Sequence, residues 1–106
     1  MVVRGEIWLT ALDPTVGSEI KKTRPCVIIS PAEMHDYLRT VIVAPMTTGS
    51  KPAPYRIALR FRGKSGLVLL DQIRTLDKTR LAARLGTVRP KTLKATLHAL
   101  RQMFGD

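Results

Sequence analysis

An arginine and a threonine, each placed at the end of an apolar run, are the residues of this chain best suited to chemistry. Arg24 closes the stretch Val16-Gly17-Ser18-Glu19-Ile20-Lys21-Lys22-Thr23-Arg24-Pro25, a Gly-Ser turn and basic loop that lead into the apolar run Pro25–Ile29. Thr47 opens the polar cluster Thr47-Thr48-Gly49-Ser50, just beyond the apolar Thr40-Val41-Ile42-Val43-Ala44-Pro45. A guanidinium can hold a phosphate through two parallel hydrogen bonds, and a threonine hydroxyl can donate a further one. Both contacts strengthen as negative charge builds on the phosphate. Taken singly, each residue also has a plainer use: Arg24 could pair with Glu19 or Asp71, and Thr47 could serve only as a turn residue.

Charge narrows the choice of partner. The 106 residues are enough for one domain, expected to span 1–106. The formal charge of +10 is one-sided: residues 1–50 hold five basic and five acidic side chains, whereas residues 51–106 hold thirteen basic and three acidic. Such a field favours an anionic partner, nucleic acid first, the plain alternative being a solvated basic surface kept for solubility. The single cysteine, Cys26, excludes an internal disulfide and a cysteine-based zinc site, and its apolar neighbours make it a small core residue rather than a nucleophile. With only His35 and His98, and no paired-ligand spacing near them, no metal and no cofactor is expected. No apolar stretch is long enough to span a bilayer and no signal-peptide pattern begins the chain, so the expectation is a cytoplasmic protein without a membrane partner.

The elements that must position Arg24 and Thr47 follow from pattern. Gly5–Leu12 alternates and reads as a strand ended by Asp13-Pro14; Pro25–Ser30 and Thr40–Pro45 read as two more. Between those two, Pro31–Asp36 is expected to make one helical turn with Ser30 as N-cap and Pro31 at the first helical position. Tyr55–Phe61 alternates, with Tyr55, Ile57, Leu59 and Phe61 on one side and Arg56, Arg60 and Arg62 mostly on the other. Gly63–Gly66 is expected to turn the chain into the apolar strand Leu67–Leu70, which runs on into Asp71-Gln72-Ile73-Arg74. Asp77–Arg80 reads as a short helical turn and Ala82–Val88 as a last strand. A terminal helix starts near Pro90, its apolar stripe made by Leu93, Leu97, Leu100 and Phe104, with Lys91, Lys94, His98 and Arg101 opposite. About six short strands and a terminal helix imply a strongly bent antiparallel sheet or a partly open barrel.

Five motifs, in order and over nearly the whole chain, resemble the MazF/PemK/Kid family of toxin endoribonucleases. They are Arg4-Gly5-Glu6-Ile7-Trp8, Gly17-Ser18-Glu19, Arg24-Pro25, Val43-Ala44-Pro45-Met46-Thr47 and Asp71-Gln72-Ile73-Arg74-Thr75. The resemblance implies a mainly β fold with short helices, an SH3-like small barrel of the MazF/Kid/CcdB toxin type with a C-terminal α-helix, assembled as a homodimer. It implies cleavage of single-stranded RNA at a short preferred sequence without a metal, and inhibition by a cognate antitoxin. Carried over by position, Arg24 matches the family's catalytic arginine and Thr47 its catalytic threonine. Ser18, Glu19, Gln72 and Arg74 match its loop and substrate groove, and Lys21, Lys22 and Thr48 join them as candidate RNA contacts. Many members have glutamine after Gly-Ser-Glu where this chain has Ile20.

RNA brings its own nucleophile, the 2′-hydroxyl next to the scissile phosphate. Its attack gives a 2′,3′-cyclic phosphate and a 5′-hydroxyl, and what the protein must add is charge stabilisation and proton transfer. An arginine's ordinary pKa of about 12 or more suits the first role better than the second. Two other readings remain open at the level of sequence: a nucleic-acid-binding barrel without catalysis, and a toxin of the same fold directed at a protein such as gyrase. The antitoxin expected is an acidic, partly disordered segment that folds onto the basic groove.

Overall fold

Strand β3 (Thr40–Thr47) organises the sheet. Its residues from Val43 to Met46 are all buried, so backbone groups on both of its edges need partners within the protein. In the computed structural model, which describes residues 1–12, 17, 19 and 22–105, both edges are used. One edge pairs with β2 (Thr23–Ile28) in the register Cys26↔Pro45, Val27↔Ala44 and Ile28↔Val43. The other is divided. Its first half takes β6 (Arg74–Asp77) from Thr40↔Asp77 to Val43↔Arg74, and its end takes β5 (Lys64–Leu69) at Met46↔Val68 and Thr47↔Leu67.

The remaining strands extend from these. β1 (Glu6–Ala11) lies against β2, β7 (Leu81–Thr87) against β1, and β4 (Arg56–Phe61) against β5, all antiparallel. The order is β4-β5-β3-β2-β1-β7 with β6 beside β3. A 3₁₀ turn at Lys78–Arg80 joins β6 to β7, capped by the Asp77 carboxylate, which accepts the Thr79 N–H at 2.9 Å. Inside the curl lie Leu12, Cys26, Ile28, Val41 and Val43, with Trp8, Leu76 and Leu81 at the margin. On the other face Ile7, Val27, Ala44, Val68 and Leu70 pack beneath the β4–β5 hairpin and α2 (Pro90–Phe104). Each large aliphatic side chain so buried contributes about 1.5–3 kcal/mol. The chain therefore forms the expected mainly β small barrel with a C-terminal helix. Among the described residues no helix is long and apolar enough to cross a membrane.

Several local expectations are corrected. β6 is absent from the sequence pattern, because Arg74-Thr75-Leu76-Asp77 is short and polar; the free edge of β3 recruits it. The hairpin turns at Arg62-Gly63 rather than across Gly63–Gly66, since Phe61 pairs with Lys64. Both turn residues are left-handed, with φ of 52° and 78°, as a two-residue turn matching the sheet twist requires. Gly66 lies inside β5, where a Cβ would meet the Thr47 carbonyl oxygen at 2.8 Å. On α2 the inward stripe is Leu93, Thr96, Ala99, Leu100 and Met103, while Phe104, in the last turn, is exposed.

Helix α1 (Ala32–Tyr37) begins after Pro31, which occupies the N-cap without a side-chain bond. Ser30 is not the cap. Its Oγ accepts the Ile42 N–H at 2.9 Å and sits 2.6 Å from His35 Nε2. His35 Nδ1 lies 2.8 Å from the Val2 carbonyl, which can only accept, so the ring proton is on Nδ1 and the Ser30 hydroxyl donates to Nε2. His35 is consequently buried and ties the N-terminal segment to α1, and Lys78 Nζ donates to its carbonyl.

The first motif is structural. Gly5 takes φ 91°, and a Cβ there would meet Leu93 of α2 at 3.2 Å. Arg4 Nε donates to the Ile29 carbonyl at 2.7 Å. Glu6, buried, accepts from the Val3 N–H at 2.8 Å and Trp8 Nε1 at 3.2 Å through Oε1, and pairs with Arg84 Nε at 2.8 Å through Oε2. Burial pushes its pKa up, but the Val3 N–H, the Trp8 indole and the Arg84 charge outweigh it and leave the pKa lowered. A carboxylate with a lowered folded pKa stabilises above its unfolded pKa and loses that contribution as pH falls.

These buried groups have measurable consequences. Glu6→Gln should lower stability by about 1–2 kcal/mol at pH 7; in chemical denaturation the difference from the parent should shrink as pH drops below the carboxylate range. Burial pushes the Cys26 thiol up to about 11, against a hydrogen bond with Thr10 and the charge of Arg74. Native protein at pH 8 should therefore react with a thiol reagent at least about tenfold more slowly than unfolded protein.

Candidate active site

Arg24 and Thr47 are set against each other by the β2–β3 register. Carried two residues beyond Cys26↔Pro45, it brings Arg24 opposite Thr47, and the two-residue alternation puts both on the face of that pair. Pro25 explains why the ladder stops there. Ile29 donates to the Ile42 carbonyl, so every second pair toward the site is a bonded one, and at the position opposite Met46 Pro25 has no N–H to donate. The two strand ends flank a cavity of about 330 Å³.

Four parts of the chain line it. β2 gives Arg24 and Pro25; β3 and its following turn give Met46, Thr47 and Thr48. The β4–β5 hairpin gives Leu59, Phe61, Arg62, Lys64 and Gly66, and β7 gives Leu85. The floor is apolar, the charged lining is Arg24, Arg62 and Lys64, and no carboxylate of the described residues contributes. Thr47 is fixed by its neighbours. Its Oγ1 accepts the Gly49 N–H at 3.2 Å, which leaves its own proton to donate outward, and Gly66 lets β5 approach its carbonyl closely.

The structure gathers some of the sequence candidates and separates others. Arg24, Thr47 and Thr48 share the cavity. Glu19 and Lys22 are exposed, Lys22 in a left-handed conformation with φ 68°, while Ser18 and Lys21 lie outside the described residues. Gln72, in the 3₁₀ turn Leu70–Gln72, and Arg74, opening β6 opposite Val43, are half-buried and do not line the cavity. Arg74 acts electrostatically on Cys26, which places its charge near the inner face of the curl.

Asp71, a possible partner of Arg24 by sequence, is engaged elsewhere. Arg56 grips both its oxygens, Nε to Oδ1 at 3.1 Å and Nη2 to Oδ2 at 2.9 Å, and also donates to the Lys51 carbonyl at 3.3 Å. The hydrogen bonds from Arg56 foremost, then a bond from its own backbone N–H and the Arg56 charge, hold the Asp71 pKa below its ordinary value against partial burial. Sequence reasoning missed Arg62 and Lys64 as site residues. Their signal was present in the basic second half, but nothing local showed that the hairpin folds over Thr47. Among the described residues no group of three His, Cys, Asp or Glu side chains converges as a metal site.

Known proteins share this arrangement of chain. Residues 3–104 match the family described as PemK-like, MazF-like toxin of type II toxin-antitoxin system. Endoribonuclease PemK of Escherichia coli is 42% identical over 96 residues, covering 85% of this chain and 71% of that protein. The crystal structure of MazF from Deinococcus radiodurans superposes with a TM-score of 0.86 at 27% identity, covering 99% of this chain and 97% of the other. An endoribonuclease in complex with its cognate antitoxin from a mycobacterial species gives 0.80 at 25% identity, covering 96% of this chain and 93% of that one. Family match, sequence identity and fold agree along nearly the full length: the chain belongs to the PemK-like, MazF-like toxins of type II toxin–antitoxin systems.

Proposed function

We propose that the chain, as a single toxin domain over residues 1–106, is an endoribonuclease that cuts single-stranded RNA at a short preferred sequence, without a metal, in the cytoplasm. The observation that supports this reading most is that Arg24 and Thr47, each two residues past the last β2–β3 pair, line one cavity to which no carboxylate of the described residues contributes. The scissile phosphate lies between the two side chains. The 2′-oxygen attacks phosphorus and gives up its proton, the P–O5′ bond breaks, and the departing 5′-oxygen gains a proton. The products are a 2′,3′-cyclic phosphate and a 5′-hydroxyl. Arg24 binds the non-bridging oxygens and gains as the phosphorane becomes more anionic; the outward Thr47 hydroxyl donates to the same oxygens. The step consumes no water and no redox partner.

The basic second half of the chain supplies the wider field. Thr48, Lys22 and the loop residues Ser18, Glu19 and Lys21 are assigned to flanking nucleotides, as are Gln72 and Arg74 on a neighbouring edge. Assembly as a homodimer would join two such surfaces. The inhibitor is an acidic antitoxin segment that covers Arg24; the mycobacterial relative is in complex with its cognate antitoxin.

The test is incubation with a long single-stranded RNA in the presence of EDTA, with the ends mapped by primer extension. Discrete cuts bearing 5′-hydroxyl ends are expected. Arg24→Ala should slow cleavage about a thousandfold and Thr47→Val about a hundredfold, each with an unchanged circular dichroism spectrum. Cleavage by Arg24→Ala at the parental rate would remove the assignment. RNA bound but left intact by the parent would turn the reading to a binding barrel, and RNA neither bound nor cut would turn it to a protein target.

A further inference from the structure

A second cavity, of about 390 Å³, lies between the β4–β5 hairpin, the end of β7 and the start of α2. It shares Leu59, Phe61 and Arg62 with the cavity of Arg24 and Thr47, so the two are contiguous. Its charged lining is Arg60, Arg62 and Arg89; Thr87 and Thr92 add hydroxyls, and no carboxylate of the described residues is present. Two of the guanidiniums are anchored. Arg60 donates to Ser65 Oγ at 3.1 Å and to the Gly63 carbonyl at 3.0 Å, and Arg62 donates to the Leu85 carbonyl at 3.1 Å. A guanidinium has five N–H donors, so these bonds orient the groups and leave others for an anion.

Arg62 stands out for a second reason. Its φ of 52° lies in the left-handed region, at the first position of a two-residue turn. Asn-Gly is the ordinary pair at such a turn, because asparagine tolerates that conformation; here an arginine takes it, and its guanidinium donates to the Leu85 carbonyl and lies over the Phe61 ring, 5.2 Å from its centroid. Those two contacts hold the guanidinium at the boundary of the two cavities. Arg62 is also the arginine that lines both cavities.

We propose that Arg60, Arg62 and Arg89 form a second phosphate subsite, which holds the RNA strand at a phosphate a few nucleotides from the scissile one. This rests on the ribonuclease reading above. The spacing suits it: Thr47 pairs with Leu67, and Leu67 with Ala58, two strand spacings away. Arg60 lies two residues farther along β4, so its backbone is roughly 12 Å from that of Thr47. A stacked strand advances about 3.4 Å per nucleotide, so a few nucleotides cover the distance. A strand is favoured over an acidic peptide because the wall shared with the cutting site lets one continuous polyanion occupy both cavities.

The experiment measures binding of two fluorescent strands whose cut position, located by primer extension, carries a 2′-deoxynucleotide that removes the nucleophile. One strand is confined to the cut site and the other extends well beyond it on both sides. In the parent the long strand binds more tightly. Arg62→Asn, and separately Arg60→Gln with Arg89→Gln, should reduce that advantage about fivefold. The salt dependence of long-strand binding should become shallower by about 0.7 in log–log slope for each phosphate no longer neutralised. Arg62→Asn also removes the bond to Leu85 and the contact over Phe61, whereas Arg60→Gln with Arg89→Gln leaves both in place and so separates anion binding from folding; both variants should keep the parent's circular dichroism spectrum. An unchanged long-to-short ratio in both variants would overturn the subsite, as would loss of binding only to an acidic antitoxin-derived peptide. A parent that cuts no RNA would instead overturn the ribonuclease reading, so the two failures are distinguishable.

Discussion

The two-edged demand of β3 is the constraint from which this architecture follows. A buried strand must satisfy its backbone on both sides, and β3 does so with β2 on one side and with β6 and then β5 on the other. The division at its far edge produces two packing problems with one solution. β6 pulls the sheet around Cys26, Ile28 and Val43, while β5 brings β4 and its arginines over the opposite face. Thr47 sits where this double use ends. Pro25 gives β3 no donor there, so hydrogen bonding between β2 and β3 gives out beside it, while Pro45 faces the other edge, where β6 ends and β5 begins.

Charge is divided in a matching way. Two of the acidic side chains, Glu6 and Asp71, are each held by an arginine, Arg84 and Arg56, and so serve the fold. Among the described residues, the charged groups that line the cavities at the hairpin are arginine and lysine. Carboxylates near those cavities would neutralise the field that a phosphate needs. Their placement elsewhere keeps structural ion pairs and the anion-facing surface apart.

Legibility in the sequence followed the range of the interactions. Strands with a clear apolar run, such as Thr40–Thr47, and the helix at Pro90 could be read locally, because burial of one face is a local pattern. The Arg24–Thr47 alignment was reached through resemblance, since a register is a relation between distant segments. β6 escaped because Thr75 and Asp77 give it no apolar signature; only β3's open edge accounts for it. His35 has the sequence surroundings of a surface turn residue, yet its partner is the Val2 carbonyl, far away in sequence. Gly66 reads locally as part of a turn, and its real reason is the Thr47 backbone pressing against it. Gln72 and Arg74 share a motif with Asp71 without lining the cavity, because β6, which Arg74 opens, is drawn to the edge of β3.

The pairing of β1 with β7 has a bearing on how the molecule comes into being. The first strand has no outer neighbour until the last strand exists, and Gly5 rests against Leu93 of the terminal helix. Contacts of such high sequence separation form slowly and late. While the chain is being made, β2 and β3 can meet early, but the sheet stays unclosed until residues beyond Thr87 leave the ribosome. The hairpin can pair with β3 before that closure, but the floor it shares with Leu85 of β7 and the cover that α2 gives it exist only once β7 has joined β1.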